Sequence, residues 1–163
     1  VSNPRLKIPS SRPTLIFERV CQTLQSSVKL RCVKAWRVGG PSEKDPDTDP
    51  NSDQCPFVRL YLDGVDGGGA RDNISQDGRL VIGVDVWCRG FAQADVVDLF
   101  SRIVDVVFPA GQPDEATYRT DLQALGAKST SVQIVRWASP TPLKEQGLQV
   151  GKGQLGIQFR IQG

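Results

Sequence analysis

The stretch Arg79–Phe108, RLVIGVDVWCRGFAQADVVDLFSRIVDVVF, decides how this chain folds. Leu80, Ile82, Val84 and Val86 recur at every second position, the period of a half-buried strand. After Arg89-Gly90-Phe91 the period changes. Val96, Leu99, Phe100, Ile103 and Val107 now fall three or four residues apart on one helical stripe, with Asp95, Asp98, Arg102 and Asp105 on the other. A strand that runs straight into an amphipathic helix predicts that the helix packs back on the sheet. The unit is one of fold, and it carries no catalytic signature.

Outward from it, strand patterns lie on both sides. Towards the N-terminus, Val58, Leu60 and Leu62 alternate with Arg59 and Tyr61, and Asp63-Gly64 reads as a turn. The segment 64–78, with three successive glycines, then makes a long hairpin to the strand at Arg79. Val28–Val38 is β-branched and alternates roughly, which predicts a strand with Trp36 half-buried, ended by Gly39-Gly40-Pro41. Before it, Pro13 suits a first helical turn, and Ile16, Phe17, Val20 and Leu24 follow at helical spacing to about Gln25. Towards the C-terminus, Pro109, Gly111 and Pro113 break the chain, and Tyr118, Leu122 and Leu125 predict a short helix capped by Gly126. Two strands follow, Ser129–Ala138 and Gly153–Gln162. The last alternates most cleanly, with Gln154, Gln158, Arg160 and Gln162 on a face expected to meet water or a polar partner.

The order α-β-β-β-α-α-β-β predicts an α+β fold, one mixed or antiparallel sheet of about five strands with two main helices and one short helix on one face. Residues 1–12, with Pro4 and Pro9 among polar side chains, read as an extended arm, and 13–163 as a single domain. At 163 residues a chain can bury a core without staples.

Composition narrows the function classes. Lys and Arg exceed Asp and Glu by 20 to 18, a net +2 too mild to announce nucleic acid or an anionic membrane as the main partner. The charge is uneven. Pro41–Asp53 holds five acids against Lys44 alone, which sets that segment at −4 and the rest of the chain at +6. The loop 39–55 is therefore expected to be an exposed, mobile acidic excursion. There is no histidine, which removes the usual general base near neutral pH and the commonest metal ligand. Cys21, Cys32, Cys55 and Cys88 show no C-x2-C spacing, so zinc is not expected, and nothing resembles a secretory signal. They read as reduced, small apolar residues of a soluble protein made in a reducing compartment. A removed initiator methionine would explain the start at Val1, and so would trimming of a longer chain.

Four motifs invite chemistry. Asp45, Asp47 and Asp49, then Asn51 and Asp53, offer oxygen ligands, but counting from Asp45 the sixth position is Pro50, where a calcium loop needs glycine, and the twelfth is Pro56, where it needs glutamate. A solvated acidic loop fits better. Gly64–Gly69 is followed by a strand, whereas a phosphate-cradling loop must lead into a helix. Asp85 lies in an apolar strand with no second carboxylate to complete a hydrolytic pair, and reads as an outward-facing residue beside Arg59 or Arg136. Trp36, Trp87 and Trp137 could stack bases, but with no concentrated basic groove they fit sheet packing or a subunit interface.

In element order and texture the chain resembles the tail-terminator and tail-completion, or head–tail joining, proteins of tailed bacteriophages. The resemblance rests on a V-x-V-x-[VW] strand followed by A-D-x-x-x-L-x-x-x-I, to which Val84, Val86, Ala94, Asp95, Leu99 and Ile103 correspond, with Cys88 at the [VW] position. It implies a non-enzymatic virion protein of the tail or neck, assembled in the bacterial host's cytoplasm. It also implies a homo-oligomeric ring, typically hexameric, that caps the tail tube and joins it to the head-side connector. No cofactor, small-molecule substrate or membrane is implied, and DNA only passes through the lumen. The surfaces expected to meet neighbours are Asp45, Asp47, Asp49 and Asp53 of the acidic loop, Gly67, Gly68 and Arg71 of the glycine loop, and Arg59, Arg136 and Arg160 of the sheet. The same three sheet arginines would carry a nucleic-acid-binding module, the alternative reading, and another phage neck or connector protein is a further one.

Overall fold

The structure, a computed structural model, describes residues 11–46, 54–66, 78–89, 93–107, 116–142 and 150–161. Helix α1 (Arg12–Ser26) opens with Pro13 in its first turn and buries Ile16, Phe17, Val20, Cys21 and Leu24 along one stripe. Strands β1 (Ala35–Val38), β2 (Phe57–Asp66) and β3 (Gly78–Arg89) follow, then helices α2 (Gln93–Val107) and α3 (Ala116–Ala124) and strands β4 (Ala127–Pro142) and β5 (Val150–Ile161). The class is α+β, with one mixed sheet ordered β1-β2-β3-β5-β4.

The strand-to-helix order and the helical stripe expected of Arg79–Phe108 hold where the structure describes them. Val96, Leu99, Phe100, Ile103, Val106 and Val107 are buried on α2, while Asp95, Asp98, Arg102 and Asp105 are exposed. The main core lies between the three helices and one sheet face, built from Val58 and Leu60 of β2, Leu80, Ile82, Val84 and Val86 of β3, and Leu155, Ile157, Phe159 and Ile161 of β5. The helix approaches closely over Gly153, where a Cβ would sit 2.5 Å from Val96 Cγ1 and 2.8 Å from Phe100 Cζ. Gly126 ends α3 with φ 88°, as its place after Leu125 predicts.

Local boundaries depart from expectation. Val28–Leu30 is a 3-10 turn and not the start of a strand: the Ser27 hydroxyl accepts from the Lys29 N–H at 3.3 Å, and this local bond competes with extended pairing. The first strand shrinks to Ala35–Val38 and pairs in parallel with β2, from Ala35 opposite Phe57 to Val38 opposite Leu60. A parallel pair needs a crossover, and the acidic loop is that crossover. Asp63-Gly64 does not turn the chain. It marks a register shift between Leu62 and Gly64, after which β2 stays paired to β3 as far as Asp66 opposite Arg79.

Strand β3 is also more deeply set than a half-buried strand. It is antiparallel to β2 on one side and to β5 on the other, and every residue from Ile82 to Cys88 is buried. Its odd-numbered residues face away from the helices, towards a second, smaller cluster of Cys55, Phe57 and Trp87. A strand covered on both faces reads as a near-continuous apolar run. Asp85 is the exception within that run.

Candidate functional site: a buried ion network on the far face of the sheet

Alternation along β2 puts Phe57, Arg59 and Tyr61 on the face away from the helices, and cross-strand register places Trp87, Asp85 and Gly83 opposite them. On the next strand Lys152 stands opposite Trp87 and Gln154 opposite Asp85. From the other side, residues after β1 fold back so that Asp45 reaches the same face. The carboxylates of Asp45 and Asp85 are 2% and 0% exposed, and Arg59 between them is 7% exposed.

The guanidinium of Arg59 bridges the two acids. Its Nη1 donates to Asp45 Oδ2 at 2.8 Å and its Nη2 donates to Asp85 Oδ2. Arg37 of β1 grips Asp45 with two donors, Nε to Oδ1 at 3.0 Å and Nη2 to Oδ2 at 3.2 Å. The Ser42 N–H adds a further bond to Oδ2 at 2.9 Å. Tyr61 O–H donates to Asp85 Oδ1 at 3.4 Å. Paired, charge-assisted bonds of this kind are what allow ions to be buried at all.

Aromatic rings complete the site. Arg59 Cζ lies 5.1 Å from the Tyr61 ring centroid and 5.5 Å from that of Trp87, and Lys152 Nζ lies 5.0 Å from the Trp87 ring. Phe57 meets Trp87 edge-on, with centroids 5.3 Å apart and planes at 79°. Tyr61 lies flat over Gly83, where a Cβ would meet its ring at 2.2 Å. The glycine is thus the residue that lets the ring, and its hydroxyl, reach Asp85. The Nε of Arg59 and the Nε1 of Trp87 are buried with no acceptor among the described residues.

Chemically the arrangement clamps. Both oxygens of each carboxylate are engaged by donors, so neither is poised to take a proton from a substrate. Among the described residues, no three Cys, Asp or Glu side chains converge as metal ligands. What the network does is tie the start of the crossover loop to β1, β2 and β3 at once.

Of the residues expected to form working surfaces, the structure joins Asp45 and Arg59, in a buried pair. That corrects the expectation of a uniformly exposed, mobile acidic loop: the loop's first aspartate is pinned, because two arginines compensate its burial. Asp85 does lie beside Arg59, yet it is fully buried and not outward-facing to solvent. Asp47, Asp49, Asp53, Gly67, Gly68 and Arg71 lie outside the described residues. Arg136 sits on β4 opposite Gly156, and Arg160 is exposed on β5 opposite Arg79. Arg160 lies six residues along β5 from Gln154, the position level with Asp85, or roughly 20 Å at strand rise. Arg59 and Arg160 therefore form no common basic cluster.

Sequence reasoning missed Arg37, Tyr61, Trp87 and Lys152 as members of one site. Gly83 was the available signal, since a glycine inside an otherwise apolar strand flags a close approach. Of the cysteines, Cys21, Cys55 and Cys88 are buried free thiols as expected, and Cys32 is an exposed one. No described helix is long and apolar enough to cross a membrane. No protein-family model matches the chain, and a search of curated proteins finds no match to it either.

Proposed function

We propose that this chain is a virion structural protein, the tail terminator of a tailed bacteriophage, which caps the tail tube as an oligomeric ring and joins it to the head-side connector. The reading rests on the strand–helix unit and its resemblance to that family, and one observation from the fold supports it most. The two edges of the sheet are unlike: β1 is only four residues long, whereas β4 runs for sixteen, from Ala127 to Pro142, and among the described residues pairs with β5 alone. A closed ring is built from heterologous contacts, in which one surface of a subunit meets a different surface of its neighbour. A long edge strand on one side of the sheet and a short one on the other supply such an asymmetry, and long edge strands are themselves prone to pair.

Exposed Leu62 and Val65 at the far end of β2, leading to the glycine loop, add apolar area to the same purpose. The ionic clamp supports the role too, because it presents the crossover loop from a fixed root. DNA would pass through the ring's lumen without being read.

Native mass spectrometry of the purified chain, alone and with the tail-tube protein, tests the proposal. A ring, most simply a hexamer, that forms or closes on the tube protein is the expected result. A chain that stays monomeric at high concentration in both conditions would remove the proposal. Binding to a connector protein but not to the tube protein would move the assignment to another neck component.

A further inference from the structure

Away from the ion network, the segment before β1, the start of β2, the end of β3 and helix α2 surround a cavity of about 440 Å³. That is within the size range of small-molecule sites. Three of the four cysteines line it. Cys55 and Cys88 are 2% and 3% exposed and form its interior wall, while Cys32 is exposed. Around them stand three cations, Lys34, Arg89 and Arg102, and two acids, Asp95 and Asp98, all exposed. Arg102 is placed against the open thiol: its Nη1 donates to the Lys29 carbonyl at 3.2 Å and lies 3.8 Å from Cys32 Sγ.

A metal does not fit this group, since no three of these ligands converge among the described residues. A zwitterionic thiol compound does. We propose that Cys32 is a site of S-thiolation by small disulfides bearing carboxylates and an ammonium group, of which glutathione disulfide is the type. The rim cations receive the carboxylates and the rim acids the ammonium, while the cavity holds the half attached to Cys32.

The step balances without an external oxidant. Cys32 gives up its proton, its sulfur attacks one sulfur of the incoming disulfide, and a new S–S bond forms as the old one breaks. The displaced half leaves as a thiolate and takes up a proton. The adduct persists because the neighbouring Cys88 thiol, buried in the cavity wall, resolves it poorly. Burial, with Asp95, Cys55 and Cys32 nearby, pushes the Cys88 thiol up to about 12, so at neutral pH it stays protonated and is a weak attacker.

The test is intact-mass analysis of the folded chain during incubation with glutathione disulfide at mildly alkaline pH, with bis(hydroxyethyl) disulfide as an uncharged comparator. The expected result is a single glutathione adduct, mapped to Cys32 and abolished in Cys32→Ser. The charged reagent should react faster than the neutral one, and Arg102→Ala should cut that preference by about threefold. Both substitutions are at exposed positions and leave the core intact. An adduct on another cysteine, conversion of the adduct to an internal disulfide, or a charged-to-neutral rate ratio unchanged by Arg102→Ala would each overturn the proposal.

Discussion

Replacing Asp85 by alanine perturbs the centre of the clamp. The carboxylate is 0% exposed and accepts from Arg59 and Tyr61, so its removal leaves Arg59, itself 7% exposed, with one of its two acidic partners gone. Breaking a buried ion pair by deleting one partner costs about 3–5 kcal/mol, because the remaining charge stays buried. Asp45 still holds Arg59 Nη1 at 2.8 Å, which sets the expectation at the lower end, about 3 kcal/mol. In a chain of this size that lowers Tm by roughly 6–12 °C. The double variant Asp85→Leu with Arg59→Met should recover much of the loss, since an apolar pair carries no desolvation penalty. Thermal and urea unfolding of the three proteins measure it. A loss below about 1 kcal/mol for Asp85→Ala, or a double variant worse than the single, would show that the network is solvated and not the clamp described.

Gly83→Ala should lose at least about 1–3 kcal/mol in urea unfolding, the range for overpacking, because the new methyl meets the Tyr61 ring at 2.2 Å; adding Tyr61→Ala should relieve much of that clash. Stability should fall as pH rises from about 9 to about 12, the window between the ordinary and the folded values of the Cys21 and Cys88 thiols, since only the unfolded chain ionises readily there; Cys88→Ala should flatten that part of a pH–Tm profile. In a thiol-titration time course without denaturant, Cys32 should react first and Cys21, Cys55 and Cys88 only slowly.

The parts of this fold visible in the sequence are those with a clean period. The α2 stripe from Val96 to Val107 and the even positions of β3 and β5 follow directly from spacing, because each packs against one core. The failures occur where two influences compete. Val28–Leu30 has strand composition, yet one serine hydroxyl draws it into a turn. Asp63-Gly64 has turn composition, but the pairing of β2 with β3 absorbs it as an irregularity. The clamp was harder still. Its members come from β1, β2, β3, β5 and a loop, and only register brings Arg59 opposite Asp85 and Lys152 opposite Trp87. Charge counting placed Asp45 in an acidic run without showing that Arg37 and Arg59 would single it out from its neighbours.

The placement of β5 between β3 and β4 has a consequence for synthesis. Residue 78 pairs with residue 161, and the β3–β5 ladder continues inward from there. Until β5 has been made, β3 has one open edge and β4 has no partner in the sheet. The nascent chain therefore carries an open β3 edge from residue 89 until β5 is made, with β4 added to the unsatisfied strands shortly before, and the arrival of β5 joins the two. Surplus copies of β5 supplied as a free peptide would compete for that slot, whereas once the sheet is complete the same peptide would find it filled.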